Sequence, residues 1–154
     1  MRPARALALS RSALWLTAAG ASIYLLGRFS LVGIPEGDRG MEPTFRAGER
    51  LLVDRRPGRL ERGDVVLFQL GEGAPRVARL TAVHGDLLEW IDGRLSVNGR
   101  IASPSGAGSE APFEPLRPGE ALVGRDNPDL PGSEKWKRVP EGNLRGRVVL
   151  AWPF

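Results

Sequence analysis

Short apolar runs of strand length, each closed by Gly, Pro or Asp, dominate the chain beyond Val32 and restrict it to a mostly-β fold. They fall at Arg50–Val53, Val65–Leu70, Val77–Val83, Leu87–Ile91, Arg94–Val97, Ala121–Val123 and Arg145–Trp152. No segment of helical period competes with them there. Asp92-Gly93 and Asn98-Gly99 are dipeptides that accept positive φ in two-residue hairpin turns, so Leu87 to Ile101 reads as a meander. Ala102-Ser103-Pro104-Ser105-Gly106-Ala107-Gly108-Ser109 is a flexible loop by composition. No internal repeat is visible, which excludes solenoids and propellers.

The first thirty residues differ in kind. Ser12 to Gly27 is uncharged and largely apolar, carrying Leu14, Trp15, Leu16, Ile23, Tyr24, Leu25 and Leu26 between Arg11 and Arg28. A spanning helix needs about 20 apolar residues, and the flanking arginines can extend this run by snorkelling. Arg2, Arg5 and Arg11 precede it, so the positive-inside bias predicts a cytoplasmic N-terminus and a remainder across the membrane. Ala19-Gly20-Ala21 has the form of a cleavage site. The apolar run continues past it through Leu26, which favours an uncleaved anchor. The expected division is a tip and membrane anchor over 1–31 and an extracytoplasmic β domain over 32–154.

At 154 residues, one core of ordinary size is the expectation. The net charge of +4 arises from 22 Lys+Arg against 18 Asp+Glu dispersed along the chain, without the basic stripe and interleaved aromatics that mark nucleic-acid binding. Nucleic acid is not an expected partner. The absence of cysteine excludes disulfides, thiolate metal sites and a cysteine nucleophile, and neither cofactor nor metal is expected.

Several short boxes occur in a fixed order: Gly40-Met41-Glu42-Pro43-Thr44; Ala47-Gly48-Glu49-Arg50-Leu51-Leu52-Val53-Asp54; Arg62-Gly63-Asp64-Val65; Val77-Ala78-Arg79-Leu80 with Gly85-Asp86; Asp92-Gly93-Arg94-Leu95-Ser96-Val97-Asn98-Gly99; and Gly124-Arg125-Asp126-Asn127, then Ser133-Glu134-Lys135 and Val139-Pro140. In order and spacing they resemble the boxes of type I signal peptidases, membrane-bound serine-lysine enzymes that trim exported proteins. The last box is the loosest, with Arg125 inserted after the glycine and one residue lost later. The resemblance runs from Ile34 to Trp152 and implies a signal-peptidase-type domain of antiparallel sheets behind one N-terminal transmembrane helix.

What the resemblance does not bring is the chemistry. The family's loop has serine where this chain has Gly40, and its general-base lysine aligns with Ala78. A serine-lysine mechanism needs a hydroxyl and an amine held neutral by burial. Arg79, next to the base slot, stays protonated at any working pH. Lys135 and Lys137 are the chain's two lysines, both in the C-terminal box. His84 falls six residues past the base slot, where a strand is ending, and reads as a surface turn residue. Ser30 is too near the apolar run, Thr44 is a loop residue that active relatives also carry, and Asp38 has no evident partner acid.

Strand addition of a peptide needs no nucleophile. The resemblance therefore implies a module that binds exported precursors, extended peptides or an active homologue, with Met41, Pro43, Thr44, Arg79, Asp126, Asn127 and Ser133 in the groove or its framework. Core packing is the competing expectation for Met41, Val66 and Phe68. A working endopeptidase with an unrecognised nucleophile is the alternative. A role like that of self-cleaving repressor domains is disfavoured by the apolar N-terminus.

Overall fold

The computed structural model describes residues 3–102 and 114–152, excluding the side chains of 3–12 and of Ser133. The Ser103–Ser109 part of the expected flexible loop lies outside the described residues.

Helix α1, Pro3–Arg28, leads into ten strands: β1 Phe29–Gly33, β2 Arg50–Asp54, β3 Val65–Phe68, β4 Arg76–Val83, β5 Leu88–Ile91, β6 Arg94–Val97, β7 Arg100–Ile101, β8 Glu120–Gly124, β9 Trp136–Pro140 and β10 Leu144–Trp152, with the short α2, Gly132–Lys135, before β9. The expected mostly-β architecture is present. Seven strands form one antiparallel sheet in the order β1-β2-β10-β3-β4-β8-β9, and β5-β6-β7 form a second. The expected meander is this second sheet. Its turns are built as the dipeptides dictate, with Asp92, Gly93, Asn98 and Gly99 all at positive φ. Three strands carried no clear signal: β1, β7 and β9.

Two strands bend the large sheet around the core. β10 pairs with β2 along one part and with β3 along another, with register shifts between Leu144 and Gly146 and between Val148 and Leu150. At Gly146 a Cβ would come within 3 Å of the Asp54 carbonyl oxygen and Val53 Cγ1, so the strand can turn here only with glycine. β4 changes partners midway. It pairs with β3 from Arg76 to Arg79 and with β8 from Arg79 to Val83. On the β8 side, Arg76–Ala78 therefore has no strand partner among the described residues.

β3, β6 and β8 bury successive residues, and neighbouring positions in β3 and β4 enter different clusters. Val66, Phe68, Ala78, Leu80, Ala121, Val123 and Val139 form one apolar cluster, Ile34, Met41, Leu51, Val53, Leu67 and Val77 a second. Val66 and Phe68 are core residues, as expected, and Met41 is one too, at 3% exposure.

The expected transmembrane helix requires a correction. α1 forms where the apolar run lies, and Leu14, Trp15, Leu16, Ile23, Tyr24, Leu25 and Leu26 are all exposed. Yet no helix among the described residues is long and apolar enough to cross a membrane. Thr17, Gly20, Ser22 and Gly27 dilute the run, and Arg11 and Arg28 bound it. The helix is tied to the sheet at its end. Arg28 donates from Nη2 to Asp54 Oδ2 at 2.8 Å and from Nε to Oδ1 at 3.2 Å. These bonds hold the Asp54 carboxyl below its ordinary pKa against the opposing effect of desolvation.

Candidate functional site

Gly40 begins the turn that follows β1, and its backbone is fixed from both sides. Its N–H donates to Asp38 Oδ1 at 3.0 Å, and its carbonyl accepts from the Asn127 N–H at 3.0 Å. Asn127 Nδ2 also donates to the Arg39 carbonyl at 2.8 Å. The loop is thus docked onto the segment that leaves β8.

That segment delivers Arg125 to the side of Gly40. Arg125 Nη2 donates to Asp38 Oδ2 at 2.9 Å, and the side chains of this pair are only 15% and 19% exposed. A Cβ built on Gly40 would lie within 3 Å of Arg125 Cζ, Nη1 and Nε. The guanidinium therefore occupies the space a side chain at position 40 would need. Asp38 holds it there while also bonding the Gly40 N–H.

A second ion pair lies beside the first. Arg79, the residue at which β4 changes partners, donates from Nε to Asp126 Oδ1 at 2.9 Å and from Nη2 to Asp126 Oδ2. Thr44 Oγ1 donates to the same carboxylate at 2.6 Å. Burial alone would raise the Asp126 pKa, but the bonds from Arg79 and Thr44 outweigh it and hold the carboxyl below its ordinary value. Pro43, Thr44, Arg79 and Asp126 border a small cavity of about 270 Å³.

Ala78, 1% exposed, borders a larger cavity of about 620 Å³ with Phe68, Val123, Arg125 and Lys135. Lys135 reaches it because β9 pairs with β8, setting Trp136 opposite Gly124 and the Lys135 carbonyl 2.9 Å from the Arg125 N–H. Lys135 is 3% exposed. Desolvation lowers the pKa of its ammonium, and the nearby Asp126 carboxylate partly opposes that shift.

The structure thus gathers Thr44, Arg79, Asp126 and Asn127 around one loop, with Pro43 in the same wall. Met41 points into the core instead, and Ser133 lies in α2. His84 is an exposed turn residue whose Nδ1 lies 2.8 Å from the Leu116 carbonyl oxygen. Arg62-Gly63-Asp64 is a turn entering β3, with Gly63 at positive φ. Sequence reasoning treated Asp38, Arg125 and Lys135 separately. The clue was an extra arginine in one box and an aspartate two residues before another.

Comparison with known proteins decides the kinship. A family model described as signal peptidase, peptidase S26, matches residues 9–150. The chain belongs to the signal peptidase family. Signal peptidase IB of Staphylococcus aureus strain COL is 32% identical over 81 residues, which is 51% of this chain and 42% of that relative. The signal peptidase IB proteins of strains Mu50 and N315 match to the same extent. The aligned stretch thus spans about two-fifths of these relatives. Signal peptidase kinship accounts for the order of the boxes. It does not account for the ion pair now standing beside Gly40.

Proposed function

We propose that this chain is a membrane-tethered signal peptidase homologue that binds extended segments of exported precursors without cutting them. The observation that carries this reading is the Asp38–Arg125 pair at Gly40: the position where the family resemblance puts a serine is filled by a guanidinium. A guanidinium remains protonated and offers no lone pair for attack or proton transfer. The Ala78 side chain offers no base.

Binding is supported by the backbone. Arg76–Ala78 is flanked by β3 on one side only, and a peptide laid along its other side would extend the sheet by main-chain hydrogen bonds. Binding of a precursor peptide to the full chain in detergent is expected to slow amide hydrogen exchange in Arg76–Ala78 and in the Gly40–Thr44 loop. Unchanged exchange there on saturation with peptide contradicts strand addition.

The tether in this reading is α1, whose seven large apolar side chains, Leu14, Trp15, Leu16, Ile23, Tyr24, Leu25 and Leu26, are exposed.

A further inference from the structure

The cavity beside Ala78 has a chemistry that an uncut precursor does not call for. Four cationic side chains, Arg76, Arg125, Lys135 and Lys137, border it against a single acid, Glu134. Its remaining walls include Phe68, Leu70 and Val123. It lies at the end of β4 where Arg76–Ala78 lacks a partner on the β8 side. A strand added there runs past Ala78 into a basic enclosure. An uncut chain brings only neutral amides to that point, whereas a cut chain ending there brings an anion.

We propose that this cavity receives the free α-carboxylate of an extended peptide, so that the domain retains cleaved chain ends in preference to intact chains. The inference rests on the strand-addition reading above and adds the class of ligand. Charge complementarity selects the occupant. A carboxylate accepts charge-assisted hydrogen bonds from lysine and arginine donors, and such bonds are stronger in a partly enclosed, poorly hydrated site. The apolar wall suits the side chains of the last residues of the same peptide. At about 620 Å³ the cavity is within the size range of sites that enclose a small ligand, large enough for a peptide's terminal residues. Lys135 is the buried member of the cationic set. It is also already desolvated by the fold, so an arriving carboxylate displaces little water from it. The Asp38 carboxylate engages Arg125 from the Gly40 side, which orients that guanidinium between the loop and the cavity.

The test uses the full chain in detergent and two fluorescent peptides of one sequence ending in alanine, one a free acid and one a C-terminal amide. Alanine keeps the side-chain contribution small, so the terminus decides the difference. Fluorescence anisotropy is expected to give at least tenfold tighter binding of the acid. That preference should fall several-fold in Lys135→Met and, separately, in the exposed-site variant Arg76→Gln combined with Lys137→Gln, with amide binding little changed. Equal affinity of acid and amide overturns the carboxylate proposal while leaving strand addition standing. Failure of both peptides to bind overturns strand addition and this proposal with it. A preference for the acid that persists in both variants overturns the assignment to this cavity.

Discussion

Cleavage of an exported precursor is expected from a Gly40→Ser, Ala78→Lys, Arg125→Ala triple variant and not from Gly40→Ser with Ala78→Lys alone. The reason is steric before it is chemical. A serine at position 40 needs its Cβ where Arg125 Cζ, Nη1 and Nε now lie, and Asp38 holds that guanidinium at 2.9 Å. Restoring the two missing residues without removing Arg125 leaves the new hydroxyl pushed out of line or the loop displaced. A lysine at position 78 enters an apolar cluster beside Val66, Phe68 and Val123. Burial there, with Arg125 or Lys135 nearby as like charges, favours the neutral amine a general base requires. The triple variant is expected to exceed the double variant by at least about 10²-fold in rate, the scale lost when a reacting group is misplaced by about 1 Å. The same collision is measurable as stability. Gly40→Ala should cost about 1.5–3 kcal/mol in the native background, the scale of a lost charged hydrogen bond, and far less when Arg125 is already alanine. An additive cycle would show that Arg125 does not occupy the site in solution.

The second large effect is expected at Asp126. Its carboxylate accepts from both Arg79 and Thr44 and joins β4 to the loop beyond Gly40. Asp126→Ala leaves the Arg79 guanidinium, about two-thirds buried, without its anion. Removing one partner of a fully buried pair costs 3–5 kcal/mol; with Arg79 about a third exposed, about 2 kcal/mol is the appropriate scale. The sign of the pH dependence follows from the direction of the shift. The Asp126 pKa is lower folded than its ordinary value of 3.8, so its contribution is fully present above that value and is lost as pH falls through the folded one. Urea unfolding at neutral pH should show the destabilisation, and the loss of stability on acidification should be shallower in Asp126→Ala than in the native chain. Parallel acid limbs and a change under about 1 kcal/mol would contradict a stabilising role beyond that of an exposed pair, because exposed pairs contribute about 0.2–1 kcal/mol.

Most of the sheet was readable because its strands bury one face or two and so advertise themselves as apolar runs. β2, β3, β4, β8 and β10 were found that way, and the dipeptide turns gave the second sheet. β1 was hidden because Phe29–Gly33 follows the apolar run of the helix with Arg28 alone between them. β7 has two residues, too few for a period. β9 is an edge strand, Trp136-Lys137-Arg138-Val139-Pro140, in which Val139 alone is fully buried, so it carries no alternation of apolar residues. The site was legible to the extent that it is local. Gly40 and Ala78 stand in recognisable boxes, and so do Thr44, Arg79 and Asp126. The Asp38–Arg125 pair joins residues 87 apart and depends on how β8 ends. In the sequence, Arg125 reads as an irregularity in a Gly-Asp-Asn box. In the fold it is the residue that excludes a side chain from position 40. Lys135 entered the cavity through the pairing of β8 with β9, a strand that had no sequence signal.

The proposed reading is that the groove persists while the cutting chemistry does not. Its most direct test is to incubate the unmodified full chain, in detergent, with a saturating exported precursor and read both bound precursor and its mass over hours, beside the triple variant. Bound precursor of unchanged mass with the native chain, and shortened precursor with the triple variant, is the predicted result. Shortening by the native chain that is lost in Ser30→Ala or Thr44→Val, as cleavage by a contaminating protease would not be, would contradict this reading and return the Arg125 pair to a structural role beside another active centre.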